Sequence, residues 1–177
     1  IPSSVTFIGN NAFIKSNISK ITFESNSNLE RIEQYAFAFT SNLKVITLPK
    51  SLVSVGSYMF YESGLESINF EEGILLTNIS KHMFSSSKIT DIVIPNSVNY
   101  IDDSAFRDCT SLTNVVLSDA DNLQIHANAF YNTSLTTINI PNNVTYIGEY
   151  SLVGLRNLKA YNVSNDNLYY KDIDGVL

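Results

Sequence analysis

The sequence predicts a solenoid of short parallel strands and tight turns with little helix. Three observations predict it: an Ala-Phe-like pair that recurs every 22 to 24 residues, an apolar-x-x-apolar-x-apolar pattern after each pair, and a proline after that pattern in every second copy. A fixed period of this size is typical of stacked repeats, in which each unit buries its apolar face against its neighbours. The anchor pairs, which define copies 1 to 7, are Ala12-Phe13, Ala36-Phe37, Met59-Phe60, Met83-Phe84, Ala105-Phe106, Ala129-Phe130 and a faded Ser151-Leu152.

The apolar pattern after each anchor predicts one short strand per copy. Its last two apolar positions alternate with small or polar residues and are mostly β-branched or aromatic, which is typical of a strand with one buried face. The copies are Ile18/Ile21/Phe23, Leu43/Ile46/Leu48, Leu65/Ile68/Phe70, Ile89/Ile92/Ile94, Leu112/Val115/Leu117, Leu135/Ile138/Ile140 and Leu158/Tyr161/Val163.

A second segment, apolar-x-x-apolar, precedes each anchor and predicts a short extended stretch. Its copies are Val5/Ile8, Leu29/Ile32, Leu52/Val55, Leu76/Ile79, Val98/Ile101 and Val144/Ile147, while copy 6 departs with Asn122 in the first slot and Leu123 beside it. The anchor phenylalanine or leucine follows five positions after the second apolar residue of each segment. That length is too short for a useful helix, so we expect a turn or a single 3₁₀ turn.

Proline adds a second period to the repeat. Pro2, Pro49, Pro95 and Pro141 lie 46 or 47 residues apart, so the duplicated unit is a pair of copies. Proline ends a strand and stiffens the turn that follows. The alternate loops lack proline and tend to be acidic. Their carboxylates suggest attraction of a basic partner or weak binding of calcium. The alternative is that these charges only keep this edge of the solenoid soluble. The acidic residues of these loops are Glu24, Glu71, Glu72, Asp119, Asp121 and Asp166.

Composition indicates a single domain over residues 1–177, with residues 164–177 as an atypical end segment. The hydrophobic share of 44% is enough for a continuous core. The net charge of −6 opposes nucleic acid, and no apolar run reaches the roughly 18 residues of a membrane-inserted helix. Both ends fall within repeat-like sequence, the last at an Asp174-Gly175 hairpin turn. We therefore expect a piece of a longer protein.

Cys109 is predicted to be a buried structural residue. It is the single cysteine of the chain, so it offers neither a disulfide framework nor a metal cluster. It lies three residues after its anchor phenylalanine, where the other copies also carry a small, weakly polar residue. Those residues are Ser16, Thr40, Ser63, Ser87 and Thr133.

The remaining residues predict no catalytic, cofactor or metal site. His82 and His126 fall in different columns of the repeat, and no zinc-ligand spacing links them. Asp102 and Asp103 are adjacent and expected to be solvated, whereas a glycosidase needs two carboxylates across a cleft. We therefore predict no enzymatic activity and no cofactor.

The exposed side of the predicted strands is the candidate partner-binding surface. Its residues lie between the buried positions, and they are small, polar and nearly neutral, with three valines as apolar spots. A plain solvated sheet face is the alternative. The predicted residues are Lys20, Thr22, Val45, Thr47, Ser67, Asn69, Asp91, Val93, Asn114, Val116, Thr137 and Asn139.

Aromatic residues form two further columns. Phe7, Tyr100 and Tyr146 share one, and Tyr35, Tyr58 and Tyr150 share the other. Tyrosine is enriched at interfaces, but packing of each ring on its neighbours explains the columns as well. We favour packing.

The chain resembles a known repeat family. The string Ile-Pro-x-x-Val-x-x-Ile-Gly-x-x-Ala-Phe, followed by Leu-x-x-Ile-x-Ile-Pro, is similar to the BspA-like, or treponemal-type, leucine-rich repeat. Ile94-Pro95 through Cys109 and Ile140-Pro141 through Gly148 carry the match, and the tail from Asn167 through Tyr170 to Leu177 resembles the segment that interrupts or follows such stacks. The resemblance implies a curved leucine-rich repeat solenoid, a β-rich form of the α/β-horseshoe, whose concave strand face is the usual recognition surface.

The resemblance also implies a function without catalytic residues. It suggests a protein-binding module of a cell-surface or extracellular adhesin, with a host matrix or cell-surface protein as partner. An intracellular scaffold built on the same solenoid is the alternative, and an enzyme that carries this segment as a targeting arm is a third class. The identity of the partner and the oligomeric state stay open.

Overall fold

The computed structural model describes residues 1–172, and these form thirteen short strands and no helix. Within that range, therefore, no helix is long and apolar enough to cross a membrane. The predicted Asp174-Gly175 turn lies outside the described residues. Every strand pairing is parallel, as a stacked repeat requires.

The strands form two rows along the solenoid. The front row corresponds to the predicted strands and comprises β3 (Val45–Leu48), β5 (Ser67–Phe70), β7 (Asp91–Val93), β9 (Asn114–Val116), β11 (Thr137–Ile140) and β13 (Ala160–Val163). The second row corresponds to the predicted extended segments and comprises β1 (Phe7–Ile8), β2 (Arg31–Ile32), β4 (Ser54–Val55), β6 (Asn78–Ile79), β8 (Tyr100–Ile101), β10 (Leu123–Ile125) and β12 (Val144–Ile147).

The anchor phenylalanines form a continuous column through the interior. Neighbouring rings stack at centroid distances of 5.1 to 5.7 Å with interplanar angles of 3 to 15°. Five of the six rings are fully buried, and Phe13 at the first copy is half-buried. Aliphatic side chains of both rows pack around this column, as the sequence predicts.

The turns that carry the phenylalanines are hydrogen-bonded from copy to copy. In each turn every second N–H donates to the next copy, as Tyr58, Phe60 and Glu62 do to Lys81, Met83 and Ser85 at 2.8 to 3.0 Å. The intervening N–H groups bond three residues back within the same turn, which agrees with the predicted turn or 3₁₀ geometry.

Each turn uses two residues in the left-handed conformation. They lie two positions before and two positions after the anchor. The first column is Asn11, Tyr35, Tyr58, His82, Ser104, Asn128 and Tyr150, and the second is Lys15, Phe39, Glu62, Ser86, Asp108, Asn132 and Gly154, with φ of 48 to 80°. Asparagine, aspartate, histidine and glycine suit this region, but tyrosine and phenylalanine are unusual in it.

Copy 6 differs from the sequence alignment at Leu123. The alignment put Asn122 in the apolar slot, but Asn122 is exposed, and Leu123 is fully buried and pairs with Val144. The next pair of the β10–β12 ladder joins Gln124 to Tyr146, so Thr145 of β12 has no partner and forms a bulge. Two positions separate Leu123 from Ile125, whereas three separate Val144 from Ile147, and the bulge absorbs the difference.

The front row is broken into pairs, which the sequence analysis did not predict. Ladders join β3 to β5, β7 to β9 and β11 to β13. No ladder joins β5 to β7 or β9 to β11 in the described chain. The predicted strand over 18–23 in copy 1 is wrong, because residues 18–24 are irregular and unpaired with β3.

Proline accounts for the alternation of the front-row ladder. In three of the four copies without proline at this position, the residue after the last buried strand position donates a rung to the preceding copy. Glu24 donates to Ile1, Glu71 to Leu48 and Ser164 to Ile140, at 2.9 to 3.0 Å. Pro49, Pro95 and Pro141 occupy the same position in the other copies and have no N–H. Each proline-bearing copy is therefore joined to the copy after it and loses a rung to the copy before it.

Candidate functional site

The predicted partner-binding residues lie on the solvent side of the front row. Eleven of the twelve are exposed, and Ser67 is half-buried. Val45, Val93 and Val116 expose 50%, 63% and 48% of their surface, which is high for valine. Val93 and Val116 are ladder neighbours, whereas Val45 lies opposite Ser67 in another pair. Nothing in the geometry tests binding itself, which stays a prediction.

Two shallow grooves run along this face at breaks in the ladder. The larger, of about 540 Å³, lies between β5 and β7, and we call it the acidic groove. The smaller, of about 460 Å³, lies between residues 19–23 and β3, and we call it the basic groove. Both occur where a proline-bearing copy faces the copy before it, so the missing ladder and the grooves have one cause.

The acidic groove combines an apolar centre with carboxylates. Phe70 is half-buried in it, whereas the equivalent Leu48 and Ile94 are fully buried. Asp91 and the loop residues Glu71 and Glu72 also line the groove, and none of its lining residues is a lysine or arginine.

The basic groove has the same build but the opposite balance of charge. It is lined by Lys20 and Lys44 around Phe23 and Val45, with Glu71 at one end. Lys44 pairs with Glu66 at 2.9 Å, but both side chains are about half exposed, so this ion pair contributes little to stability.

The acidic loops have a structural role that the sequence analysis did not include. Glu24 Oε2 accepts the N–H of Ser3 at 2.9 Å, and Glu71 Oε2 accepts that of Lys50 at 3.0 Å. In both cases the donor is the residue after proline in the preceding copy. No group of three or more potential metal ligands occurs in residues 1–172, so the calcium hypothesis has no support in this part of the chain.

Cys109 is buried, as predicted. Its Sγ donates to the carbonyl of Phe84 at 2.9 Å and lies 3.7 Å from Ser87 Oγ. Burial raises the pKa of the thiol to about 12, so it stays protonated at neutral pH. A protonated, buried thiol is a poor nucleophile, and the residue is structural.

His82 belongs to a ladder of stacked rings on the turn side. Its ring stacks on Tyr58 at 4.5 Å, and Tyr58 stacks on Tyr35 at 4.7 Å. Desolvation lowers the pKa of His82 below 6.5, and nearby Lys81 and Arg107 lower it further against an opposing effect of Asp103. The packing interpretation is therefore correct for Tyr35 and Tyr58. It is wrong for Tyr150, which is 60% exposed and stacks on no ring within the described range.

His126 lies beside the other aromatic column. Its ring centroid is 5.7 Å from that of Tyr100 and 5.6 Å from that of Tyr146. Gln124 lies between these tyrosines in the second-row ladder. Phe7, at the far end of the same column, is 52% exposed, with the Arg31 guanidinium 6.0 Å from its ring centroid. Packing explains the tyrosines of this column, whereas Phe7 has only this loose contact.

Three residues that give the acidic groove its apolar and acidic character were absent from the predicted site. Phe70 was assigned to the core, and Glu71 and Glu72 only to the acidic loops. The available signal was loop length: six positions separate Phe70 from Leu76, but four separate Leu48 from Leu52. Loop length alone does not account for the exposure of Phe70, because Leu117 is followed by a loop of the same length and is buried.

Comparison with known families decides the identity of the fold. The model of the BspA type leucine-rich repeat region (6 copies) matches residues 1–76 and 77–172. The chain belongs to the BspA-type leucine-rich repeat family. The two matched stretches meet at the β5–β7 break, between the front strand of copy 3 and that of copy 4.

Solved structures agree with this assignment. A leucine-rich cell surface protein from Faecalibacterium prausnitzii is similar over 89% of this chain at 22% identity, with a TM-score of 0.60. The pneumococcal vaccine antigen PcpA is similar over 94% of this chain at 27% identity, with a TM-score of 0.53. The BspA-type chain spans 48% and 50% of their lengths. No curated protein matches the sequence.

Proposed function

We propose that this BspA-type chain is a non-enzymatic protein-binding module and that it acts as part of a cell-surface adhesin. Exposed valines and two grooves on the front row provide a surface for many small contacts. Solenoids typically bind their partners along such an extended surface. The names of the two similar structures, a cell surface protein and a vaccine antigen, support a surface location.

The observation that carries the proposal is the exposure of Val45, Val93 and Val116. Burying apolar surface contributes about 25 cal/mol per Å², and these valines are the exposed apolar residues of an otherwise polar strand face. The packing of the solenoid does not need these side chains, since each points to solvent from a strand whose other face is buried. Binding of a partner protein gives them a role.

The test starts with capture of surface proteins from host or neighbouring cells, followed by affinity measurement with the captured partner. The variant Val45→Glu/Val93→Glu/Val116→Glu should reduce affinity at least tenfold and leave the circular dichroism spectrum unchanged. Val53→Glu/Val153→Glu is the matched control, because these valines are exposed outside the front row. Equal affinity of the front-row variant and the wild-type chain would exclude this face as the binding surface.

A further inference from the structure

The acidic groove lies at an unusual junction of the solenoid. Between copies 3 and 4, neither the front row nor the second row is laddered, since β5 and β7 are unpaired and so are β4 and β6. Every other junction within residues 1–172 has at least one laddered row. The anchor rings Phe60 and Phe84 are 5.7 Å apart here, the largest separation in the column. The edges of β5 and β7 therefore form no ladder bonds with each other, and the Thr90 N–H that donates to the Glu66 carbonyl at 3.1 Å joins the copies just before these strands.

The centre of the groove is apolar. Val93 is the most exposed apolar residue of the front row, at 63%, and the half-buried Phe70 lies across the break from it. An aliphatic or aromatic side chain from a partner would cover both. Their contact would remove apolar surface from water at a site where the solenoid itself leaves it exposed.

Carboxylates lie on both sides of this centre along the strand direction. Asp91 precedes Val93 by two residues on the same face of β7, which places it roughly 7 Å away along the strand. Glu71 and Glu72 follow β5 at the opposite end of the groove. Asp91 accepts only the Thr90 hydroxyl, and Glu72 forms no ion pair among the described residues. Their charges are available to a cationic partner.

We propose that the acidic groove binds an extended segment of a partner protein in which lysine or arginine lies two positions before and two positions after an apolar residue. In an extended chain, residues two apart point to the same side with a spacing of roughly 7 Å, which matches the order carboxylate, apolar centre, carboxylate. The proposal rests on the proposed protein-binding function and specifies the chemistry of the partner.

The basic groove supplies an internal control. Phe23 occupies the position equivalent to Phe70, and the groove also has an exposed valine, although Val45 lies in the column of Asp91 rather than that of Val93. The basic groove carries its two lysines instead of carboxylates at its centre. A cationic segment should therefore discriminate between two grooves of related composition and opposite charge on one molecule. The difference in binding measures charge complementarity rather than apolar contact alone.

The experiment uses the whole chain and a fluorescent peptide, Lys-Thr-Phe-Thr-Lys, with blocked ends. Fluorescence anisotropy should show binding at low salt that weakens as NaCl rises from 50 to 300 mM. Asp91→Lys/Glu72→Lys should weaken binding at least tenfold, and Val93→Thr several-fold. Lys44→Glu and Val45→Thr, which lie in the basic groove, are the controls and should leave the affinity for the peptide unchanged. The acidic peptide Glu-Thr-Phe-Thr-Glu should bind at least tenfold less tightly than Lys-Thr-Phe-Thr-Lys. The peptide Lys-Lys-Phe-Thr-Thr, which has the same charge in another order, should bind several-fold less tightly.

Three results would overturn the proposal: no binding at millimolar peptide, equal binding of the acidic peptide, or equal binding to Asp91→Lys/Glu72→Lys. Its failure can be separated from failure of the proposed function. A captured partner that loses affinity for the triple valine variant, together with a peptide that does not bind, would leave the module function intact and remove only the acidic groove.

Discussion

The turn side and the front row hold the copies together in different ways. On the turn side, N–H groups and stacked phenylalanines join each copy to the next without interruption from Phe13 to Phe130. On the front row, ladders join copies only in pairs. The turn side therefore carries the continuity of the stack, and the front row can vary its sequence and open grooves without disrupting the solenoid.

The largest expected effect is the loss of stability caused by a substitution on the turn side, at Phe84. This ring is fully buried and stacks between Phe60 and Phe106, so Phe84→Ala should lower the free energy of unfolding by about 3–5 kcal/mol. Val93→Ala, on the front row, should change it by less than about 0.5 kcal/mol. Urea denaturation followed by circular dichroism measures both. Similar losses in the two variants would refute the division between the two sides.

Gly56 tests how tightly adjacent copies approach beside the turns. A Cβ at this position would clash with the backbone of Gln34 in the preceding copy, so Gly56→Ala should destabilise the chain by about 1–3 kcal/mol. Gly9 occupies the same column, but its nearest non-neighbouring atom would be the Phe7 ring at 3.5 Å. Gly9→Ala should be nearly neutral in thermal denaturation, and a loss equal to that of Gly56→Ala would contradict the packing argument.

Two tyrosines sharpen the role of stacking in the left-handed column. Tyr58 and Tyr150 have φ of 61° and 57°, but only Tyr58 stacks, between Tyr35 and His82. Tyr58→Asn should destabilise by about 1 kcal/mol, because lost stacking outweighs the easier backbone. Tyr150→Asn should stabilise by about 0.5 kcal/mol, because it relieves the backbone and loses no stack. Stabilisation by Tyr58→Asn would show that stacking does not offset the strained φ.

Glu71 tests the alternate loops on the front side. Glu71→Ala removes the acceptor of the Lys50 N–H and should lower the free energy of unfolding by about 1 kcal/mol. Glu72→Ala is the matched control and should have no measurable effect on stability. Millimolar calcium should leave the melting temperature of the wild-type chain unchanged. A clear rise with calcium would restore the calcium hypothesis for these loops.

The smallest effect concerns the protonation of His82. Its pKa is lowered on folding, so the unfolded chain binds the proton more readily. The stability that neutral His82 contributes is present above pH 6.5 and is lost as the pH falls below that value, through the lowered pKa of the folded state. His82→Tyr keeps a ring in the stack and should lose less stability between pH 7.5 and pH 5. Identical pH profiles in urea titrations would exclude this contribution.

The sequence predicted those features of the fold that repeat in side-chain type. The phenylalanine column, both strand rows and the two-copy period of proline are visible as periodic residues, and burial of Cys109 follows from its column. The left-handed columns were not predictable in the same way, because residues other than glycine and asparagine occupy ten of their fourteen positions.

The grooves were not predictable from the sequence because they form where a backbone hydrogen-bond donor is missing and an apolar ring is left partly exposed. Pro95 has no N–H to donate the last front-row hydrogen bond to the preceding copy. The ring of Phe70 is partly exposed, unlike the equivalent Leu48 and Ile94. Each signal is present in the sequence, but their combined effect depends on where adjacent copies lie. The front-row residues were therefore identified individually, whereas the groove that groups Asp91 with Phe70 and Glu72 required the structure.

The pairing of front strands also determines how such a chain can change in length. No front-row ladder crosses the boundary between one pair and the next, although a single bond does, as from the Thr90 N–H to the Glu66 carbonyl at 3.1 Å. The same bond recurs in copies 3 to 7, and so do the turn-side donors and acceptors. A recombination event that adds or removes about 46 residues at such a boundary would break no ladder and would restore the same single bond and turn contacts. A change of one copy would place a proline against a strand edge that requires a donor. Gain or loss of two copies at a time is therefore the step that the hydrogen bonding tolerates.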